Sequence, residues 1–329
     1  MKHAINILNS EPENYSEDAK KILRSFANLH EEPVDRDQLL KLLPSFEILI
    51  VRLGIKIDKD IIDAGHRLQY IVTATTGLDH IDVTYAETKN IKVLSLKGEK
   101  EFLKEIRATA ELTVGLALAL IRNIPAAVES VQTGIWDRDL FKGSELYKKT
   151  IGIIGIGRLG KIVAGYCKSF GMKVIGYDPF EIIDSAIATQ TASLSELLSS
   201  ADIISIHVAY DNTTHNLLNY DEFDKIKPGA FLINTSRGGI INEDALLHAL
   251  ETKRIAGAAL DVLQGEPAIH EDNKLILYSR QHNNLIITPH IGGNTCESFV
   301  KTEVFMANQL RENLIKDGVM DENTGNHSC

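Results

Sequence analysis

Cysteine is scarce, with three residues among 329, at Cys167, Cys296 and Cys329. An odd, scattered set builds no disulfide framework, and with no Cys-x-x-Cys or His-x-x-x-His pair it offers no metal-ligand spacing. A reducing cytoplasm is the expected home. Long apolar runs are missing too. The richest stretch, residues 112–121, is broken by Thr113 and Gly115 and falls short of the roughly 20 residues that cross a bilayer. The start, Met1-Lys2-His3-Ala4-Ile5-Asn6, enters a strand-like pattern at once, without the layout of a signal peptide. Positive charge is in deficit, because 35 Lys and Arg face 45 Asp and Glu for a net charge of -10. That balance argues against nucleic acid as a partner, since phosphate binding needs clustered cations. What is present, 44% hydrophobic and 24% charged residues, belongs to an ordinary folded protein. At about 150 residues per domain, the length suggests two domains.

Strand-like runs alternate with helical patterns from end to end, as in parallel sheets covered by helices. Early strands are expected at residues 4–8, 48–52, 70–74 and 92–95. Between the first two, Ala19, Ile22, Leu23 and Phe26 form one apolar helical stripe, with Ser16 as N-cap and Glu17 and Asp18 behind it. A stretch over residues 108–124 is apolar nearly all round, so burial is expected, in part against a second subunit. Pro125 should end or kink it. From Thr150 the alternation restarts, with strands expected at 151–154, 173–177, 202–207, 231–234, 257–260 and 285–287. Leu159, Ile162, Val163, Tyr166, Cys167 and Phe170 keep one helix face apolar. Ser193-x-x-Glu196 has the spacing of a capping box, and Asn242 followed by Glu243 and Asp244 that of an N-cap. A last amphipathic helix is expected over about 297–316, before a polar tail.

Within this frame, Ile151-Gly152-Ile153-Ile154 runs into Gly155-Ile156-Gly157-Arg158-Leu159-Gly160. The glycines follow a strand, open a helix and precede a strand ending at Asp178, 18 residues after Gly160. That is the context a dinucleotide-binding fold requires. Gly155 permits the tight turn, Gly157 lets a pyrophosphate approach, and Gly160 lets helix and strand pack closely. The helix start supplies unpaired N–H groups, and Asp178 is placed to receive ribose hydroxyls. A glycine-rich turn with a surface acid is the plainer alternative. Because the fingerprint lies mid-chain, the first third must form a separate α/β domain, to which the last helix can return.

Five blocks then stand in a specific order: Thr76-Gly77-Leu78-Asp79-His80-Ile81-Asp82, the Gly155 fingerprint, Asn234-Thr235-Ser236-Arg237-Gly238, Ala259-Leu260-Asp261-Val262 with Glu266-Pro267, and Thr288-Pro289-His290-Ile291-Gly292-Gly293. Together they resemble the D-isomer-specific 2-hydroxyacid dehydrogenase family over almost the whole chain. The resemblance implies two doubly wound parallel-sheet α/β domains. A Rossmann NAD-binding domain at residues 108–291 would be inserted in a smaller flavodoxin-like substrate domain made of 1–107 plus 292–329. It further implies a homodimer and hydride transfer between NAD and a small 2-hydroxy or 2-keto acid, with Arg237, Glu266 and His290 as catalytic trio. The residue types suit that chemistry. A histidine can give and take the substrate proton near neutral pH, a glutamate can orient the imidazole, and an arginine fork can hold a carboxylate. Asp261 matches an acid near the nicotinamide. Arg158, Leu159, Thr235, Ser236 and Gly293 complete the expected cofactor contacts with His207 and Thr214. Thr214 is equally readable as a helix-capping threonine.

On the substrate side, Thr75, Thr76 and Gly77 offer backbone N–H groups, and Arg52 matches a substrate-side arginine in some members or a solvated surface charge. The phosphoglycerate dehydrogenase branch is closest in feel, so 3-phosphoglycerate leads, with hydroxypyruvate and glyoxylate behind. Arg52 and Lys56 would flank a phosphate. Three departures stand out: Ala209 replaces a usual proline, Thr75 a usual glycine, and Thr73 an arginine of some phosphoglycerate enzymes. The alternative is a nucleotide-sensing corepressor on the same scaffold. Formate dehydrogenase is disfavoured by Glu266, where a glutamine is usual.

Overall fold

The computed structural model describes residues 5–321; Ala4 of the first expected strand, the end of the polar tail and Cys329 lie outside them. The chain divides into two compact units, one running to Ile106 and resuming at Thr295, the other Arg107–Asn294.

The first unit is a parallel sheet of β1 (Asn6–Asn9), β2 (Asn28–Glu31), β3 (Ile48–Val51), β4 (Tyr70–Thr73) and β5 (Lys92–Leu94), in the order β2-β1-β3-β4-β5. Its central strands are apolar on both faces because helices cover both. In β3, Ile48 and Ile50 pack beside Met306, Leu310 and Leu314 of the last helix, Cys296–Lys316. Leu49 and Val51 turn the other way, toward Leu39, Leu43, Ile61 and Ile62. A period of two thus feeds two cores. Asp317, just past that last helix, accepts from the Tyr70 hydroxyl and pairs with Lys92, tying the helix end to β4 and β5.

The second unit carries β6 (Thr150–Ile154), β7 (Lys173–Tyr177), β8 (Thr189–Gln190), β9 (Ile203–Ile206), β10 (Phe231–Asn234), β11 (Gly257–Leu260) and β12 (Leu285–Ile287), all parallel, in the order β12-β11-β10-β9-β6-β7-β8. Both sheets are doubly wound, as expected. Their order reverses between β1 and β3 in one and between β6 and β9 in the other, the places where such sheets bind ligands.

Several local expectations need correction. β2 and the helix Arg36–Leu42 lie where only one helix was expected; β2 is an edge strand of half-polar residues, with no apolar run to betray it. The two-residue β8 is exposed and equally silent. Ser193 accepts from the Glu196 N–H as expected, but the Glu196 carboxylate reaches back to Ala192, so the capping box is offset by one residue. Pro125 does not simply end a helix. The helix Ala108–Ile121 stops first, Asn123 turns left-handed at φ 54°, and Pro125 sits in the first turn of a second helix, Ile124–Gln132, bent by 63° from the stretch before it. Among the described residues no single helix is long and apolar enough to cross a membrane.

Candidate functional site

The glycine loop joins β6 to the helix Arg158–Ser169. Gly155 adopts φ 90°, and a side chain there would stand 2.8 Å from the His207 carbonyl oxygen across the switch point. A Cβ at Gly160 would lie 2.1 Å from the Gly155 carbonyl oxygen, so only glycine allows this helix to start so close to its strand. Gly157 faces open space, and no side chain caps the helix start. Uncapped N–H groups with room before them fit the pyrophosphate of a dinucleotide. Asp178 fixes the loop from the end of β7. One carboxylate oxygen accepts from Ile156 N–H at 3.0 Å, the other from the Phe180 and Glu181 N–H groups. Leu159 packs against the core, and burial pushes the Arg158 guanidinium below its ordinary range.

At the neighbouring strand ends, His207 N–H donates to the Ile154 carbonyl, and the ring Nε2 lies 2.8 Å from the Ser205 hydroxyl. Burial pushes this imidazole down to about 4, so it is neutral at pH 7. Thr214 spends its hydroxyl within a local turn, donating to the Ala209 carbonyl and accepting from Asp211 N–H. No helix starts at this turn, and Asn219 rather than Thr214 caps the next one, so the helix-capping alternative is not met. Thr235 is buried with its hydroxyl 2.8 Å from that of Thr113, and Ser236 donates to the Ile206 carbonyl. Asn234 closes the turn by donating to the Arg237 carbonyl, while the Arg237 guanidinium donates to the Ser236 carbonyl. Gly238 must be glycine, because a Cβ would fall 2.0 Å from the Leu263 backbone.

The third group lies after β11 and β12. His290 Nδ1 stands 2.9 Å from Glu266 Oε2, and both side chains are a quarter exposed. His290 holds φ 54°, a conformation that L-residues rarely adopt. Asp261, 1% exposed, maintains it: its carbonyl accepts from His290 N–H, while its carboxylate accepts from the Thr288 hydroxyl and the Ile291 and Gly292 N–H groups. Burial pushes this carboxyl above the usual range, against the opposing pull of those donors. Gly293 is exposed and open.

In the first unit, the Thr75 hydroxyl accepts from that of Thr73 at 3.0 Å and donates to the Gly77 carbonyl at 2.8 Å, with Thr76 exposed between residues 75 and 77. Arg52, expected as a substrate-side arginine or a solvated surface charge, is held by other groups of the protein. Its guanidinium pairs with Glu303 and donates to the Glu13 carbonyl, and its own N–H donates to Glu11. Glu11 and Glu303 were not singled out above. Glu303 had a signal, since it shares a stripe with Met306, Ala307 and Leu310, where a lone carboxylate demands a partner. Among the described residues no group of three or more His, Cys, Asp or Glu side chains could hold a metal ion.

Residues 114–292 match the family described as D-isomer specific 2-hydroxyacid dehydrogenase, NAD binding domain. A D-3-phosphoglycerate dehydrogenase of Methanocaldococcus jannaschii is 37% identical over 326 residues, 98% of this chain and 59% of the relative. A second, from Synechocystis, is matched over 49% of its length, so the chain spans about half the length of these curated relatives. A hydroxypyruvate reductase of Thermotoga maritima is 38% identical over 267 residues, 81% of this chain and 84% of that one. The D-lactate dehydrogenase of Aquifex aeolicus, solved with NAD and lactic acid, superposes with a TM-score of 0.83 at 29% identity, covering 98% of each chain. With the match taking in more than half of its residues, its second unit an NAD-binding domain, this chain belongs to the D-isomer-specific 2-hydroxyacid dehydrogenase family.

Proposed function

We propose that the protein interconverts a small, polar 2-hydroxy acid and its 2-keto acid with NAD. The observation that carries this reading is the His290–Glu266 pair, at 2.9 Å, on a turn that Asp261 holds in a strained conformation. Such strain persists only where the surroundings over-determine it, and it clusters at functional sites. When NAD is bound, its nicotinamide supplies or takes the hydride at the second carbon. The protein does the rest. With Nδ1 given to Glu266, Nε2 is the nitrogen left to donate a proton to the keto oxygen, or to take it from the hydroxyl in oxidation. Glu266 fixes the tautomer and balances the charge. Arg237, seated by the Asn234 turn, offers a planar fork to the substrate carboxylate. Thr76 and Gly77 supply N–H groups at the end of β4.

Asp178 supports NAD over NADP, since it would repel a 2′-phosphate and Pro179, Phe180 and Glu181 bring no cation. The Arg52–Glu303 pair engages the cation expected to meet a phosphate, while the likeness to D-3-phosphoglycerate dehydrogenases and to a hydroxypyruvate reductase supports 3-phosphoglycerate, hydroxypyruvate and glyoxylate as the candidate substrates. A homodimer completes the proposal, as does a cytoplasmic setting without nucleic-acid or membrane partners, on the acidic charge and scattered cysteines. The test is steady-state oxidation of NADH and of NADPH with a panel of 2-keto acids. Reduction of at least one with NADH, more efficiently than with NADPH, is expected. Tight NADH binding without turnover of any would favour a sensor instead.

A further inference from the structure

The first unit's sheet reverses its order between β1 and β3, and the crevice beyond that switch point is where this topology receives a ligand. Backbone N–H groups of the loop after β3 converge there, an arrangement that attracts anions. Here the protein fills it with its own carboxylates. Glu11, from the end of β1, accepts from Arg52 N–H at 2.5 Å through one oxygen and from Gly54 N–H at 2.8 Å through the other. A side chain at position 54 would lie 2.6 Å from that second oxygen, so Gly54 makes the seat possible. Arg52, the obvious cation of the crevice, is committed as well. Its guanidinium pairs with Glu303, which is 1% exposed, and lies 4.6 Å from the Phe299 ring centroid. The other Glu303 oxygen accepts from Ser16 N–H at 2.6 Å.

A phosphate entering here would compete with the buried Glu303 for Arg52, and drawing the arginine away would leave that carboxylate uncompensated, which is strongly unfavourable. It would also meet Glu11 in the seat. On the β4 side stands the neutral Thr73–Thr75 hydroxyl pair. Glu11 and Glu303 against Arg52 leave the crevice one more acid than base.

We infer that Glu11 and Glu303 are specificity-determining residues that restrict this protein to unphosphorylated 2-keto acids, an inference that rests on the dehydrogenase reading above. The test compares kcat/KM for hydroxypyruvate and 3-phosphohydroxypyruvate with NADH in the full chain, in Glu11→Gln and in Glu303→Gln. The wild type should favour hydroxypyruvate by about tenfold or more, and each substitution should shift the ratio about tenfold toward the phosphorylated acid, the scale of relieving one like-charge contact. Glu303→Gln removes a buried charge and can fail to fold; Glu11→Gln, half-exposed, keeps the test open, with a thermal melt confirming its fold. A wild type that prefers 3-phosphohydroxypyruvate, or a ratio unmoved in folded Glu11→Gln, overturns the inference while the dehydrogenase reading stands. If no 2-keto acid of the panel is reduced, that reading fails and this one with it; reduction of other members but of neither of these two overturns this inference alone.

Discussion

His290 concentrates the proposed chemistry in one side chain. Its Nδ1 is committed to Glu266, so alanine at this position removes the proton carrier without touching the glycine loop or Asp178. His290→Ala should lower kcat by about 10²-fold or more. NADH affinity, followed by fluorescence titration, should change little; near-normal turnover would take His290 out of the mechanism. His207 illustrates the opposite use of an imidazole. Burial depresses it to about 4, below the unfolded value near 6.5. Between those values the unfolded chain binds more protons, so stability is fully present above pH 6.5 and is lost as the pH falls toward 4. The loss is at most about 3 kcal/mol. Urea midpoints across this window should therefore flatten in His207→Asn relative to wild type, and parallel pH profiles would remove His207 as the cause.

At the scale of the element, the turn after β12 shows what could be read from sequence and what could not. Thr288-Pro289-His290 marks the place, but nothing in its letters says that His290 is left-handed or that Asp261, 29 positions earlier, holds it so. A register between β11 and β12 brings them together, with Leu260 beside Ile287. Long-range pairing of this kind leaves no periodic trace. The strands and helices around it were legible because both faces of a covered parallel strand are apolar, as in Ile203–Ile206, and because one helix stripe is, as in Arg158–Ser169. Half-polar edges such as Asn28–Glu31 were not. Likewise the Glu11 and Glu303 seats depend on two strand ends meeting the last helix, while Arg52 alone looks like a free charge. Asp261→Ala would strand one hydroxyl and two N–H donors in a buried turn. It should cost about 3 kcal/mol in chemical denaturation. Turnover should fall with it, since His290 loses its support; an unchanged midpoint would show that the turn holds itself.

For the whole molecule, the exposed surface is as telling as the core. The helix Ile124–Gln132 follows the sharp bend after Ile121 and carries Ile124, Val128 and Val131, with Ile135 just beyond. Spacings of four and three residues place Ile124, Val128 and Val131 on one stripe of the helix. Each is about half exposed, and Trp136 beside them is 89% exposed. Burying that stripe in water-free contact is worth roughly 25 cal/mol per Å² of apolar surface, a strong incentive to associate. A twofold interface suits it, because a stripe of one kind can pack against its own copy and closes the assembly at two chains. Contiguous apolar surface of this sort on an α/β protein marks an interaction site. Light scattering should give twice the chain mass of 36.4 kDa at micromolar concentration. Val128→Asp with Val131→Asp, which places two charges on the stripe, should shift the protein to monomer while the NAD-binding loop, made from other elements, still binds NADH. A wild-type monomer, or a dimer untouched by both charges, would move the interface elsewhere.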